Sequence, residues 1–159
     1  MRKTLLVTND FPPRAGGIQT FLEGFVGELD PSQLVVYAST PPDSDTASGA
    51  QLAADYDAAQ PYEVIRFPGT MMLPTPGVKK QMQHIIRERD VLNVWFGAAA
   101  PLGLLAHAAR EAGADRVIAT THGHEIGWSM IPGARQILEK VFRDADIVTY
   151  LTQATLKRL

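Results

Sequence analysis

Short apolar runs alternate along this chain with longer segments whose apolar residues recur every three or four positions. The short runs predict buried strands, and the periodic segments predict helices. The clearest periodic segment spans residues 18–29, with apolar side chains at Ile18, Phe21, Leu22, Phe25, Val26 and Leu29. Strands that are apolar on both faces are typical of a parallel sheet covered by helices on both sides. The sequence therefore predicts an α/β fold built on such a sheet.

The same patterns predict an order of elements along the chain. Strands are predicted at residues 4–8, 34–37, 62–67, 92–96, 117–121 and 147–150. Helices are predicted at residues 18–29, 78–89, 101–111 and 134–142, and another begins at Thr152. Residues 39–60 are rich in Pro, Asp, Ser and Ala, which predicts a long loop with one helical turn near Leu52. Because the chain stops at Leu159 within its last helix, we expect a fragment of a longer protein with a second domain.

Composition restricts the class of function. The 159 residues are enough for one domain core, and they carry a net charge of −2 and no cysteine. This excludes disulfides, thiolate metal sites and a cysteine nucleophile. A net charge of −2 also creates no positive field that would attract nucleic acid. The N-terminal apolar run is too short for a signal peptide, and no stretch predicts a membrane span. We therefore expect a cytoplasmic domain.

A glycine pair follows the first strand. Residues 9–19 connect that strand to the first helix, and Gly16 and Gly17 lie within them. In α/β sheets, ligands bind beyond the carboxyl ends of the strands, where glycine lets an anion approach the backbone and a helix N-terminus. The loop matches neither a dinucleotide fingerprint nor a P-loop. Two interpretations remain open, a phosphate-binding loop and a tight turn that requires glycine.

Two histidines follow the fifth strand, at the same predicted edge of the sheet. His122, His124 and Glu125 lie within four residues. The spacing allows a metal site, but alternate side chains of an extended loop diverge. A histidine that binds a sugar hydroxyl or another substrate oxygen fits this position better, and histidines with purely structural contacts are the remaining alternative. No G-x-S-x-G sequence supports a hydrolase triad.

Four stretches of the chain together resemble a known family. They are residues 8–13 (TNDFPP), 16–19 (GGIQ), 93–102 (NVWFGAAAPL) and 121–128 (THGHEIGW). They resemble glycosyltransferase family 4, retaining enzymes of the GT-B fold, and within it the PimB-type branch of actinobacterial phosphatidylinositol mannoside mannosyltransferases. The resemblance implies that residues 1–159 form an N-terminal, acceptor-side domain, with a Rossmann-like doubly wound parallel sheet and helices on both faces. The domain that holds the nucleotide sugar would be absent from this chain.

The resemblance also implies a reaction and roles for residues. The donor would be a nucleotide sugar, GDP-mannose, the acceptor a phosphatidylinositol mannoside, and neither a metal nor another cofactor is required. Gly16 and Gly17 would lie against the donor diphosphate, and His122 beside the transferred sugar. Three further residues become candidates for acceptor binding: Asp10, Gln19 and His124. The alternatives are a transferase of the same fold with another nucleotide sugar and a soluble acceptor, and a non-catalytic ligand-binding module.

A lipid acceptor implies contact with the inner face of the plasma membrane. The predicted helix at residues 78–89 has an apolar side and a basic side, and anionic lipid attracts such basic residues. The candidate membrane contacts are Lys79, Lys80 and Arg87, with Arg89 as a fourth positive charge. The alternative is a solvated helix face. The apolar loop at residues 71–73 could receive an acyl chain or pack inward.

Overall fold

The computed structural model describes residues 1–122 and 133–150, where a single sheet of parallel strands has the order β3-β2-β1-β4-β5-β6. The strands are β1 (Thr4–Thr8), β2 (Leu34–Ser39), β3 (Glu63–Phe67), β4 (Asn93–Phe96), β5 (Arg116–Thr121) and β6 (Ile147–Tyr150). The α-helices are α1 (Gly17–Val26), α2 (Gly49–Ala58), α3 (Pro76–Glu88), α4 (Ala106–Glu111) and α5 (Ala134–Asp144). Short 3-10 helices span Pro31–Gln33 and Leu102–Leu105.

Strand β1 lies inside the sheet between β2 and β4 and is buried along its whole length. Successive side chains point to opposite faces, so Leu5 and Val7 pack in the cluster that contains α3 and α4. Leu6 packs in the cluster that contains Leu22 and Val26 of α1. Helices therefore cover both faces, and the predicted α/β fold with a doubly wound parallel sheet is confirmed.

The strand order reverses between β1 and β4. The chain passes from β1 outward to β2 and β3, and then returns to place β4 on the other side of β1. Ligands of open α/β sheets bind beyond the carboxyl ends of the strands at such a reversal. The segments that follow β1, β4 and β5 leave the sheet beside this reversal, and they include the predicted glycine pair and His122.

The prediction of a loop across residues 39–60 was wrong, because α2 is a ten-residue helix. Its N-terminus is capped by Ser48, whose hydroxyl oxygen accepts a hydrogen bond from the Gln51 amide at 3.1 Å. Only Gly49 and Ala53 of this helix are buried, so it carries no stripe of large apolar residues for periodicity to detect. Gly49 lies so close to Pro41 that a Cβ would be 1.8 Å from the proline carbonyl oxygen.

The prediction of one α-helix over residues 101–111 was also wrong in its first half. Leu102–Leu105 form a 3-10 helix, preceded by Pro101, and α4 begins only at Ala106. A 3-10 helix has 3.0 residues per turn and an α-helix has 3.6. Over a single turn the two give nearly the same spacing of apolar residues, so the sequence pattern does not distinguish them. The tighter segment brings Gly103 against α5, where a Cβ would lie 2.6 Å from a methyl carbon of Val141.

The remaining described elements match their predictions within a few residues. Helix α3 begins at Pro76, two residues early, because Thr75 caps it by accepting a hydrogen bond from the Val78 amide. The helix predicted to begin at Thr152 lies outside the described residues. Among the helices that the structure describes, none has the length and apolar character needed to cross a membrane.

Candidate functional site

The two glycines of the β1–α1 loop have different environments. Gly16 has φ 152° and ψ 169°, a conformation that is essentially restricted to glycine. A Cβ on Gly16 would lie 2.2 Å from the side-chain oxygen of Gln19, which is itself buried. Gly17 is the first residue of α1, and a Cβ there would meet no atom within 4 Å. Gly16 is thus required by the local fold, whereas Gly17 leaves open space at the end of the helix.

The N-terminus of α1 has the features of an anion site. Gly16 and Gly17 are exposed, and within the described ranges no side chain caps this end of the helix. The first amides of a helix have no partner inside it and point outward along the helix dipole. The carbonyl of Gly16 accepts hydrogen bonds from the Thr20 amide and hydroxyl at 3.0 and 2.9 Å, which holds the first turn in place. A helix N-terminus with free amides is a common position for a bound phosphate group.

His122 directly follows β5 and contacts two other elements of the site. Its Nε2 is hydrogen bonded to the carbonyl oxygen of Gly97, the residue after β4. Its ring packs edge-on against Phe21 of α1, with centroids 5.6 Å apart and an angle of 78°. Because a carbonyl only accepts, Nε2 carries the hydrogen, and Nδ1 is the acceptor in the neutral ring. Phe21 is four residues beyond Gly17, so its Cα lies about 6 Å along the axis of α1 from the first residue of the helix.

Gly97 is a site residue that the sequence reasoning missed. A Cβ on Gly97 would lie 3.1 Å from the side chains of both Leu22 and Thr8, so glycine lets β4, β1 and α1 approach closely. Its amide donates to the carbonyl of Val7 at 3.1 Å, which extends the pairing of β1 and β4. A glycine directly after a buried strand, at the carboxyl edge of the sheet, is the signal that could have identified it.

Asp10 lies at the beginning of the same loop. Its amide donates to the Thr8 hydroxyl at 2.9 Å, which directs the chain away from β1. The side chain of the preceding Asn9 forms two hydrogen bonds with the backbone of Met72. Its Nδ2 donates to the Met72 carbonyl at 2.9 Å, and its Oδ1 accepts from the Met72 amide at 2.6 Å. The loop after β3 is therefore joined to the glycine loop. Gln19 is buried beside Gly16, which favours a supporting role for it over direct contact with an acceptor.

The second histidine, His124, lies outside the described residues, together with Glu125. Across residues 1–122 and 133–150, no three His, Asp or Glu side chains come together as metal ligands. The predicted contrast between His122 and His124 stays a prediction.

The basic residues of α3 are apart from the glycine loop, because α3 packs on the other face of the sheet. Lys79, Lys80 and Arg87 are exposed, whereas Val78, Met82, Ile85 and Ile86 are buried. Arg89 is ion-paired: its guanidinium forms two hydrogen bonds with Glu63, at 2.9 and 2.7 Å. These bonds hold the pKa of the Glu63 carboxyl below its usual value. Lys79, Lys80 and Arg87 are thus the cations of this surface that form no ion pair among the described residues.

The loop at residues 71–73 has one side chain that packs into the core and two that face solvent. Met72 is fully buried, whereas Met71 and Leu73 are 61% and 49% exposed. Since Met72 is held by Asn9, the two exposed apolar side chains are fixed close to the start of the glycine loop.

No protein-family model matches the chain. It is similar over nearly its whole length to three curated mannosyltransferases. It is 55% identical over 157 residues to the GDP-mannose-dependent monoacylated alpha-(1-6)-phosphatidylinositol monomannoside mannosyltransferase of Corynebacterium glutamicum, covering 99% of this chain and 39% of that protein. It is 52% identical over 155 residues to the GDP-mannose-dependent alpha-(1-6)-phosphatidylinositol monomannoside mannosyltransferase of Mycolicibacterium smegmatis, covering 97% and 39%. With the Mycobacterium tuberculosis protein of the same description, identity is 50% over 161 residues, covering 99% and 40%. The chain thus spans about two-fifths of the length of these relatives.

Proposed function

We propose that this chain, a homologue of the PimB-type phosphatidylinositol mannoside mannosyltransferases over nearly its whole length, is the acceptor-side domain of a retaining α-mannosyltransferase. The donor in this proposal is GDP-mannose and the acceptor is a phosphatidylinositol mannoside. The donor-binding domain would be supplied by the part of the protein outside residues 1–159, since the relatives are about 2.5 times as long. The proposal includes no metal and no cofactor besides the donor.

The observation that carries this proposal is the convergence of Gly17 and His122 at the strand-order reversal. The exposed amides at the N-terminus of α1 suit the donor diphosphate, whose negative charge increases as the sugar leaves. His122, which contacts Gly97 and Phe21, follows β5 at the same end of the sheet and would bind an oxygen of the transferred sugar. Asp10, at the other end of the loop, and His124 are the proposed acceptor-binding residues.

Mannosyl transfer by the full-length protein tests the proposal. The protein should transfer mannose from GDP-mannose to phosphatidylinositol monomannoside, and it should not use UDP-glucose or a soluble acceptor such as free inositol. The measurement is product formation from each donor and acceptor pair, followed by thin-layer chromatography and mass spectrometry. Transfer from another nucleotide sugar to a soluble acceptor would support the same-fold alternative. Binding without transfer would support a ligand-binding module.

The 159-residue chain alone should show negligible transfer. Electrostatic stabilisation of the charge that develops on a leaving group is usually the largest catalytic contribution, and in this proposal the chain provides only one side of that site. The check compares the purified chain with the full-length protein under identical conditions. Comparable turnover by the two proteins would contradict the division of the site between two domains.

We propose further that the protein contacts the cytoplasmic face of the membrane peripherally. Three observations support this: the exposed cations of α3, the exposed apolar pair Met71 and Leu73 just before that helix, and the link from Met72 to the glycine loop. In this arrangement the basic face binds anionic headgroups, while the apolar pair enters the lipid where the acceptor leaves the bilayer.

Replacing Lys79, Lys80 and Arg87 together by glutamate should weaken binding to phosphatidylinositol-containing vesicles at least tenfold at low salt, since each cation near an anionic surface contributes about 1 kcal/mol. Vesicle sedimentation at low and moderate salt measures this. A control places the same charge change on α5, at the exposed Arg135, Lys140 and Arg143; because these three are paired with carboxylates of their own helix, thermal unfolding confirms that both variants are folded before pelleting is compared. Equal pelleting of wild type and the α3 variant, or equal loss in both variants, would show that α3 is not the contact surface.

A further inference from the structure

Arg66 is a largely covered cation near the carboxyl end of β3. Its side chain is 11% exposed, and it forms an ion pair with Asp57 of α2, which is 17% exposed. Nε donates to the Asp57 carboxylate at 3.1 Å, and Nη2 donates to it at 2.8 Å. A buried guanidinium is costly unless its donors are satisfied and its charge is paired. The forked contact with Asp57 provides the charge partner and fixes the plane of the guanidinium.

The other donors of Arg66 bind two backbone carbonyls from different parts of the chain. Nη1 donates to the carbonyl of Ser39, at the end of β2, at 2.8 Å. Nη2 donates to the carbonyl of Pro12, within the β1–α1 loop, at 2.6 Å. The guanidinium also lies 5.7 Å from the ring centroid of the buried Phe11. Arg66 thus joins β2, α2 and β3 to the segment that leads into the glycine pair.

The β1–α1 loop is held at three points and exposed at one. Asn9 pairs with the Met72 backbone at its beginning, and Pro12 is held by Arg66 in its middle. Arg14 donates to the carbonyls of two neighbouring loops, at 3.2 and 2.6 Å. Only the tip, residues 15–17, is exposed. These contacts therefore fix residues 9–14, while residues 15–17 stay accessible to a ligand.

We propose that Arg66, oriented by Asp57, is a positioning residue for the donor diphosphate. It fixes the Pro12 carbonyl, and through it the glycine pair, in the geometry that receives the phosphates. This inference rests on the proposed function, since it concerns how the same site is preorganised. Arg66 acts through the loop and does not itself touch the ligand. Pre-set geometry of this kind is needed because small displacements of a binding group reduce turnover strongly.

The test uses two variants of the full-length protein, Arg66→Lys and Asp57→Asn. Lysine keeps the positive charge but not the fork, and asparagine keeps the size of Asp57 without its charge. Both variants should raise KM for GDP-mannose about tenfold or more, with a smaller effect on the acceptor KM, because a shift of about 1 Å in the loop affects donor binding directly. The matched control is Arg89→Lys, which weakens the forked pair of Arg89 with Glu63 at the other end of β3.

Amide hydrogen exchange of residues 9–17 in the ligand-free protein provides a readout that is independent of catalysis. Exchange should accelerate in both Arg66→Lys and Asp57→Asn, and stay unchanged in Arg89→Lys. The positioning role would be overturned if Arg66→Lys and Asp57→Asn lowered Tm but had the same donor KM and the same exchange of residues 9–17 as Arg89→Lys. If the wild type transfers no mannose, the proposed function fails, and loop exchange alone then decides whether Arg66 positions the loop. If Arg66→Lys does not fold, Asp57→Asn is judged by the same criteria.

Discussion

Replacing His122 by alanine in the full-length protein should lower kcat by about 10²-fold, the loss expected when a positioned contact to a reacting group is removed. The imidazole is fixed between the Gly97 carbonyl and the Phe21 ring, so the ring has one orientation in which to meet the sugar. Stability should fall modestly, by about 1 kcal/mol, because Gly97 loses one hydrogen bond. Steady-state kinetics and thermal unfolding of the same preparation separate the two effects.

The control for this variant is His107→Ala. His107 lies on α4 with a side chain that is 74% exposed, and its partner is Glu111 of the same helix. This substitution should leave kcat unchanged. His124→Ala should have a milder effect than His122→Ala, since alternate side chains of an extended loop point away from each other. Equal losses at both positions, or a larger loss at His124, would show that the catalytic contact is assigned to the wrong histidine.

Replacing Gly17 by valine should reduce kcat/KM for GDP-mannose by about 10²-fold or more while the protein still folds, because a 1 Å displacement of the phosphates has an effect of this size. A Cβ at Gly17 meets no protein atom within 4 Å, so the side chain would occupy the space that we assign to the diphosphate. Gly16→Val should impair donor use as well, but it should also destabilise the fold. Its backbone conformation costs other residues about 1–3 kcal/mol, and its Cβ would collide with Gln19.

Gly17→Val is therefore the more informative of the two variants. Gly24→Val is its matched control, since Gly24 lies in the same helix and its Cβ would also meet no atom within 4 Å. The control should show normal donor kinetics and no loss of stability, because glycine is a poorer helix former than valine. Normal turnover of GDP-mannose by Gly17→Val would mean that the glycine pair serves only as a turn.

The central elements were predictable because their apolar residues are large and regularly spaced. Strand β1 is buried on both faces, and α1 buries Leu22 and Val26 against it, as its spacing indicates. Helix α2 was not predictable from spacing, because its buried positions, Gly49 and Ala53, carry almost no apolar surface. What establishes α2 is its Ser48 cap and the close approach of Gly49 to Pro41, and neither produces a periodic pattern.

The candidate site was predictable in part, for a topological reason. The glycine pair and His122 each follow a strand, and the carboxyl ends of parallel strands share one edge of the sheet. Their separation within that edge depends on strand order, which places β4 between β1 and β5. The contacts of His122 with Gly97 and Phe21 follow from that order, since these residues are about 25 and 100 positions away in the chain.

The fold class, the central strand and helix, and the two candidate segments that follow β1 and β5 were readable from the sequence alone. These depend on local spacing and on chemistry that each segment carries alone. The tertiary structure decided which glycine is restricted to its conformation, which cations of α3 stay available, and what holds the loop still. Arg66 shows why: its partners are Asp57, Ser39 and Pro12, 9, 27 and 54 residues away. A cation whose partners are this distant in the chain leaves no pattern in its own neighbourhood, because only the tertiary fold brings those partners to it.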